Sequence, residues 1–140
     1  LCRERTAMPI IYQINPDRNL VTFNAYGILK EPEYRNIRTI MSGDPKFRTG
    51  MKQLADFRSV EKHELTKEGY VRYADQERIL QPRFGEGRYA IVTSSDLHFG
   101  LTRQLISEMG DTPQNAQVFR DMDIAEAWVF EETEAEVAET

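Results

Sequence analysis

The chain holds one cysteine, Cys2, one tryptophan, Trp128, and two histidines, His63 and His98, in 140 residues. A single cysteine excludes an internal disulfide framework. The histidines are far apart in sequence and Cys2 precedes the first strand signal, so no ligand set has metal-site spacing and no metal is expected. No apolar run approaches the roughly 18 residues that a membrane-spanning helix needs. No charged segment followed by an apolar run and a cleavage site opens the chain, and the expectation is a cytoplasmic protein. Positive charge is in deficit as well: 18 basic residues against 23 acidic ones leave a net charge of -5. Such a surface repels a phosphate backbone, so nucleic acid is not an expected partner.

What the chain does contain is a globular composition. Apolar residues make up 40% and charged residues 29%, enough apolar content for one core and too much for disorder. One domain is expected over residues 10–130. Residues 1–9, polar from Cys2 to Ala7 and then Met8-Pro9, read as a leader or extension, and the acidic stretch from Glu131 to Thr140 reads as a tail.

Turn chemistry and periodicity divide that domain. Ile10 to Ile14 is short and β-branched, and Asn15-Pro16-Asp17-Arg18-Asn19 is a cluster of turn formers. Leu20 to Tyr26 follows with alternating polarity, so the two runs read as a hairpin. From Pro32, Tyr34, Ile37 and Met41 recur at helical spacing until Ser42, with Gly43 and Pro45 as the stop. Lys52 to Phe57 suits a buried strand. Thr66 can cap a second helix, with Leu65 and Tyr70 placed as a hydrophobic staple. That helix is expected to end at Gln81-Pro82. Gly85-Glu86-Gly87 precedes its strand, where a nucleotide loop would follow one, and is therefore a turn with no cofactor role.

Arg88 to Thr93 is an interior strand. Leu97, Leu101, Leu105 and Met109 mark the stripe of a third helix that ends at Gly110. Ala116 to Phe119 is a last strand, and Asp123 with Glu126 are spaced as the capping box of a fourth helix burying Ile124, Ala127 and Trp128. The order ββαβαβαβα predicts an α/β fold: a single mixed sheet, a hairpin plus parallel strands, faced by helices.

That order, with Tyr12 to Gly27 as hairpin, Ala55-Asp56-Phe57-Arg58-Ser59-Val60, and Ala90-Ile91-Val92 running to Ser95-Asp96-Leu97-His98-Phe99-Gly100 and Arg103, resembles the STAS domains. The similarity is to the small bacterial SpoIIAA-like proteins, which relate to the Sec14 or CRAL-TRIO lipid-binding fold. Val118-Phe119-Arg120-Asp121, Ala125 and Trp128 complete it. The resemblance implies an interaction or regulatory module. It also implies a phosphorylatable serine at the start of the second helix in an Asp-Ser-Ser-Gly-like setting. The corresponding residues here run from Glu61 to Gly69, where Thr66 is the only hydroxyl and the surrounding signature is absent. A helix cap accounts for Thr66, so a phosphorylation switch is the weaker reading.

In open α/β sheets ligands settle beyond the carboxyl ends of parallel strands. Two polar loops are expected there: Asp56, Arg58 and Ser59, and Ser94, Ser95, Asp96 and His98, with Arg103 two turns into the following helix. These are candidate ligand contacts, and each also has a local use as a cap, a helix-start acid or an ion pair. Ser95, Asp96 and His98 supply the residue types of a hydrolase triad, but Asp96 and His98 sit two apart on a helix and face apart, so no enzyme is expected. Tyr34, Tyr70, Tyr73 and Phe99 could line a pocket beneath the helices, or fill the core. The expected function is a non-enzymatic module binding a protein partner or itself. The alternative is a carrier of a lipid or small apolar ligand.

Overall fold

The computed structural model describes residues 9–108 and 116–131. It contains five strands and four helices in the expected order: β1 (Ile10–Asn15), β2 (Leu20–Lys30), α1 (Glu31–Ser42), β3 (Lys52–Glu64), α2 (Lys67–Phe84), β4 (Tyr89–Val92), α3 (Asp96–Glu108), β5 (Ala116–Phe119) and α4 (Met122–Val129). The strands lie side by side in chain order; β1 is antiparallel to β2, and β2 to β5 are parallel.

The hairpin forms as its turn residues dictate. Pro16–Arg18 is one 3₁₀ turn, the Asn15 side chain accepts from Arg18 N at 3.2 Å, and Asn19 takes the left-handed conformation at φ 54°. Pro9, just before β1, is tied to the hairpin, since its carbonyl accepts from Tyr26 N at 2.8 Å.

Right-handed crossovers between strands that advance in one direction place every connecting helix on one face. Accordingly Tyr34, Ile37 and Met41 of α1, Tyr73, Ala74 and Phe84 of α2, and Leu105 of α3 share one core with Val21, Phe23, Ala55, Phe57 and Ile91 of the sheet. Burying each of the larger aliphatic and phenylalanine side chains among these contributes about 1.5–3 kcal/mol. Helix α4 has no crossover to make and folds under the opposite face, where Ala125 and Val129 pack on Leu20, Leu54, Ala90 and Val92.

Several expectations are corrected. Strand β3 does not stop at Phe57 but continues to Glu64, because β2 extends beside it to Lys30, with register irregularities between Asn24 and Tyr26 and between Gly27 and Ile28. Helix α2 passes through Pro82, whose missing N–H falls in the last turn, where burial of Phe84 against Phe47 at 6.0 Å holds the end. Leu97 is exposed. The cap of α4 is Asp121, accepting from Ile124 N at 3.1 Å, not Asp123. Ile124 and Ala127 consequently face solvent, and Trp128 is half-buried. Met109, Gly110 and the segments 1–8 and 132–140 lie outside the described residues.

The Gly85-Glu86-Gly87 segment is the expected turn. Gly87 is required by packing: a Cβ there would sit 2.2 Å from the Met51 carbonyl oxygen.

Candidate functional site

The polar corner and the aromatic helix face are separate places in the fold. At the corner, Asp56 pairs across the ladder with Val92, the last residue of β4, so β3 overshoots its neighbour. Asp56, Arg58 and Ser59 therefore stand on a strand and not in a loop. Arg58 donates from Nε and NH2 to Asp56 at 2.9 and 2.8 Å. That guanidinium, against the opposing effect of partial burial, holds the Asp56 carboxyl below its ordinary range. Ser94 Oγ donates to the Arg58 carbonyl at 3.1 Å, joining the two segments.

The other polar candidates have structural partners too. Ser95 Oγ accepts from His98 N at 3.0 Å as a cap of α3, and Asp96 forms an ion pair with Arg120. Ser59 is exposed and pairs in the ladder with Tyr26. Arg103 is not at this corner in its contacts: its guanidinium lies 5.8 Å from the centre of the Phe99 ring, which Arg120 also covers at 5.0 Å. Thr66 Oγ1 accepts from Gly69 N at 3.0 Å, the cap predicted for it. So the residues expected to converge do so in part, and their side chains are mostly committed to one another.

The aromatic face is organised around Tyr34. Its ring stacks on His63 at 5.5 Å, meets Phe57 edge-on at 5.9 Å and lies 6.0 Å from Tyr73. His63 comes from the extended end of β3, and His98 from the first turn of α3 meets it edge-on at 4.0 Å. Two histidines far apart in sequence thus touch, a contact that the extension of β3 creates. Burial, reinforced by the neighbouring His98, pushes the His63 pKa down to about 3. Burial also lowers His98 and raises Tyr70, and it raises Tyr73 far above the ordinary phenol value.

Between these rings and α3 lies a chamber of about 30 Å³, lined by Tyr34, His63, Tyr70, Tyr73 and Thr102 among others. It adjoins a cleft of about 330 Å³ between α2 and α3 that shares Leu65, Tyr70 and Leu105 with it and has Lys67 in its wall. Three of the four expected pocket aromatics belong here. Phe99 does not; it lines a separate depression with Arg103 and Val118. Two buried polar atoms of the chamber residues, Tyr34 Oη and His63 Nε2, have no hydrogen-bond partner in the protein. Sequence reasoning passed over His63, Phe57 and Leu105 as members of this site. Leu105 carried a signal in its helical spacing, whereas His63 needed the length of β3.

A third feature is the outer face of the hairpin. Helix α4 packs on β3 and β4, leaving Ile11, Tyr26 and Ile28 of β1 and β2 about half exposed, at 48%, 47% and 48%. Among the described residues no helix is long and apolar enough to cross a membrane, and no cluster of three or more metal-ligating side chains occurs.

No protein-family model and no curated protein matches the chain. Solved structures do. A protein of the DUF3478 family from Shewanella loihica PV-4, described as having a SpoIIAA-like fold, is 18% identical with a TM-score of 0.57, over 86% of this chain and 91% of that one. The anti-sigma factor antagonist SpoIIAA in its unphosphorylated form is 14% identical with a TM-score of 0.50, over 85% and 94%. With the sheet order and helix placement above, these likenesses establish that the chain has the SpoIIAA-like α/β fold.

Proposed function

We propose that this chain is a non-enzymatic STAS-like regulatory module that acts by binding a protein partner or a second copy of itself through the outer face of its hairpin. The observation that carries this reading is the exposed row Ile11, Tyr26 and Ile28 beside the edge strand β1. Large apolar side chains clustered on an uncovered sheet face mark interaction surfaces, and one protein of the same fold is an anti-sigma factor antagonist. The serine, aspartate and histidine that suggested hydrolysis point the same way: Ser95 caps a helix, Asp96 pairs with Arg120, and His98 packs on His63.

The test is to compare wild type with a Tyr26→Lys/Ile28→Lys variant by sedimentation over a wide concentration range. Site-specific photocrosslinking from position 28 in the native cell accompanies it. A dimer, or one discrete crosslinked protein, that the variant loses supports the proposal. A monomer that crosslinks to nothing discrete overturns it.

A second reading is favoured by the unpartnered Tyr34 Oη and His63 Nε2: the α2–α3 cleft carries a small, largely apolar ligand. A volume of about 330 Å³ lies at the lower end of small-molecule sites.

A further inference from the structure

We propose that the ligand of the α2–α3 cleft is an uncharged amphiphile, with one hydroxyl-sized polar head against Tyr34 Oη and His63 Nε2 and an aliphatic body along Leu65, Leu101 and Leu105. This rests on the second reading above and specifies the ligand's chemistry and orientation.

The head is fixed by the inner chamber. Tyr34 is 6% exposed, and its hydroxyl faces no protein acceptor or donor. His63 Nε2, also buried and unpartnered, belongs to the ring stacked on it. Leaving such groups unsatisfied is costly, so a group that bonds both gains affinity. The chamber, about 30 Å³, has room for a small polar group such as a hydroxyl and none for a ligand's aliphatic body.

The charge follows from the walls. No lysine or arginine lines the chamber among the described residues. The nearby ionisable side chains are His63 and His98, which burial disfavours in the charged form, and Tyr70 and Tyr73, which burial holds protonated. A carboxylate seated here would lose its hydration without a counter-ion to offset the loss. A hydroxyl suits both groups in either imidazole tautomer, because it can donate and accept, as a tyrosine hydroxyl does, whereas a neutral imidazole nitrogen does one or the other. The body follows from the outer cleft, whose walls are Leu65, Tyr70, Leu101 and Leu105, with Lys67 and Gln104 beside them.

The experiment is an amide chemical-shift titration of the whole chain with 1-octanol and, separately, octanoate at neutral pH, repeated for Tyr34→Phe. Tyr34→Phe keeps the ring stack and removes only the unpartnered hydroxyl, so the unliganded variant is expected to be as stable as wild type or more so. Octanol should shift the amides of Leu65, Tyr70 and Leu105 saturably, octanoate should bind at least about tenfold more weakly, and Tyr34→Phe should weaken octanol about three- to tenfold. If neither compound gives a saturable shift, the carrier reading itself falls. If octanoate binds as well as octanol, or if Tyr34→Phe leaves octanol binding unchanged, the carrier reading stands and the assignment of the head is overturned.

Discussion

Removing one partner of the Arg38–Glu77 pair should destabilise the fold far more than removing both. Arg38 of α1 is 1% exposed and Glu77 of α2 is 3% exposed. Arg38 donates to the two carboxylate oxygens of Glu77 at 2.9 and 2.8 Å, and NH1 donates to the Gln53 side-chain oxygen of β3. Its guanidinium also lies 4.4 Å from the Tyr89 ring centre and 4.5 Å from that of Phe84. Burial opposes the charge, but the Glu77 carboxylate outweighs it and Arg38 stays protonated.

In Arg38→Met the Glu77 carboxylate is left in the core without its cation, a loss of about 3–5 kcal/mol. Glu77→Leu leaves the guanidinium in the same position and should cost a similar amount. The double variant replaces the pair by apolar side chains of comparable volume, and its stability should lie within about 2 kcal/mol of wild type. The assay is urea unfolding of all four proteins. With a slope near 2 kcal/mol per molar, each single variant should lower the midpoint by about 2 M. A double variant whose loss equals the sum of the singles would refute the reasoning, because unpaired buried charge would then not be what makes each single costly.

Two further outcomes follow from particular residues. His63 has a folded pKa of about 3, below its unfolded value near 6.5, so below about pH 6.5 the unfolded chain takes up a proton that the fold resists. The stability present above pH 6.5 is thus lost as pH falls toward 3. At about 1.4 kcal/mol per pH unit, reduced because the ring is partly exposed, the loss by pH 5 is at most about 2 kcal/mol. Thermal melts of His63→Gln should show a flatter pH dependence over that window, and an unchanged slope would contradict this account. Gly87→Ala should cost about 1–3 kcal/mol by chemical denaturation, since the added carbon lands 2.2 Å from backbone oxygen rather than against a movable side chain; a neutral result would show that the Met51 strand yields.

Local chemistry made the element order readable. Tyr34, Ile37 and Met41 form a stripe whatever they pack against, and the Asn15–Asn19 turn and the Thr66 cap are settled by their own side chains. Arg38 and Glu77 stand on the same stripes, four positions after Tyr34 and four after Tyr73, but nothing local pairs them, because each has its partner on the other helix. The face of α4 was lost for a geometric reason. The helix begins two residues earlier than a cap at Asp123 implies, and the stripe that it buries is Ala125 and Val129, not Ile124 and Ala127.

Composition, helical periodicity and turn chemistry by themselves determined an α/β fold with the order ββαβαβαβα, because each rests on residues within a turn or two of one another. Tertiary structure alone decided how far β3 runs, since residues 58–64 are a strand only through pairing with β2. That extension carries His63 under Tyr34 and against His98. Contacts between distant segments thereby leave two polar atoms unpartnered in the aromatic cleft, whereas at the polar corner neighbouring side chains satisfy each other.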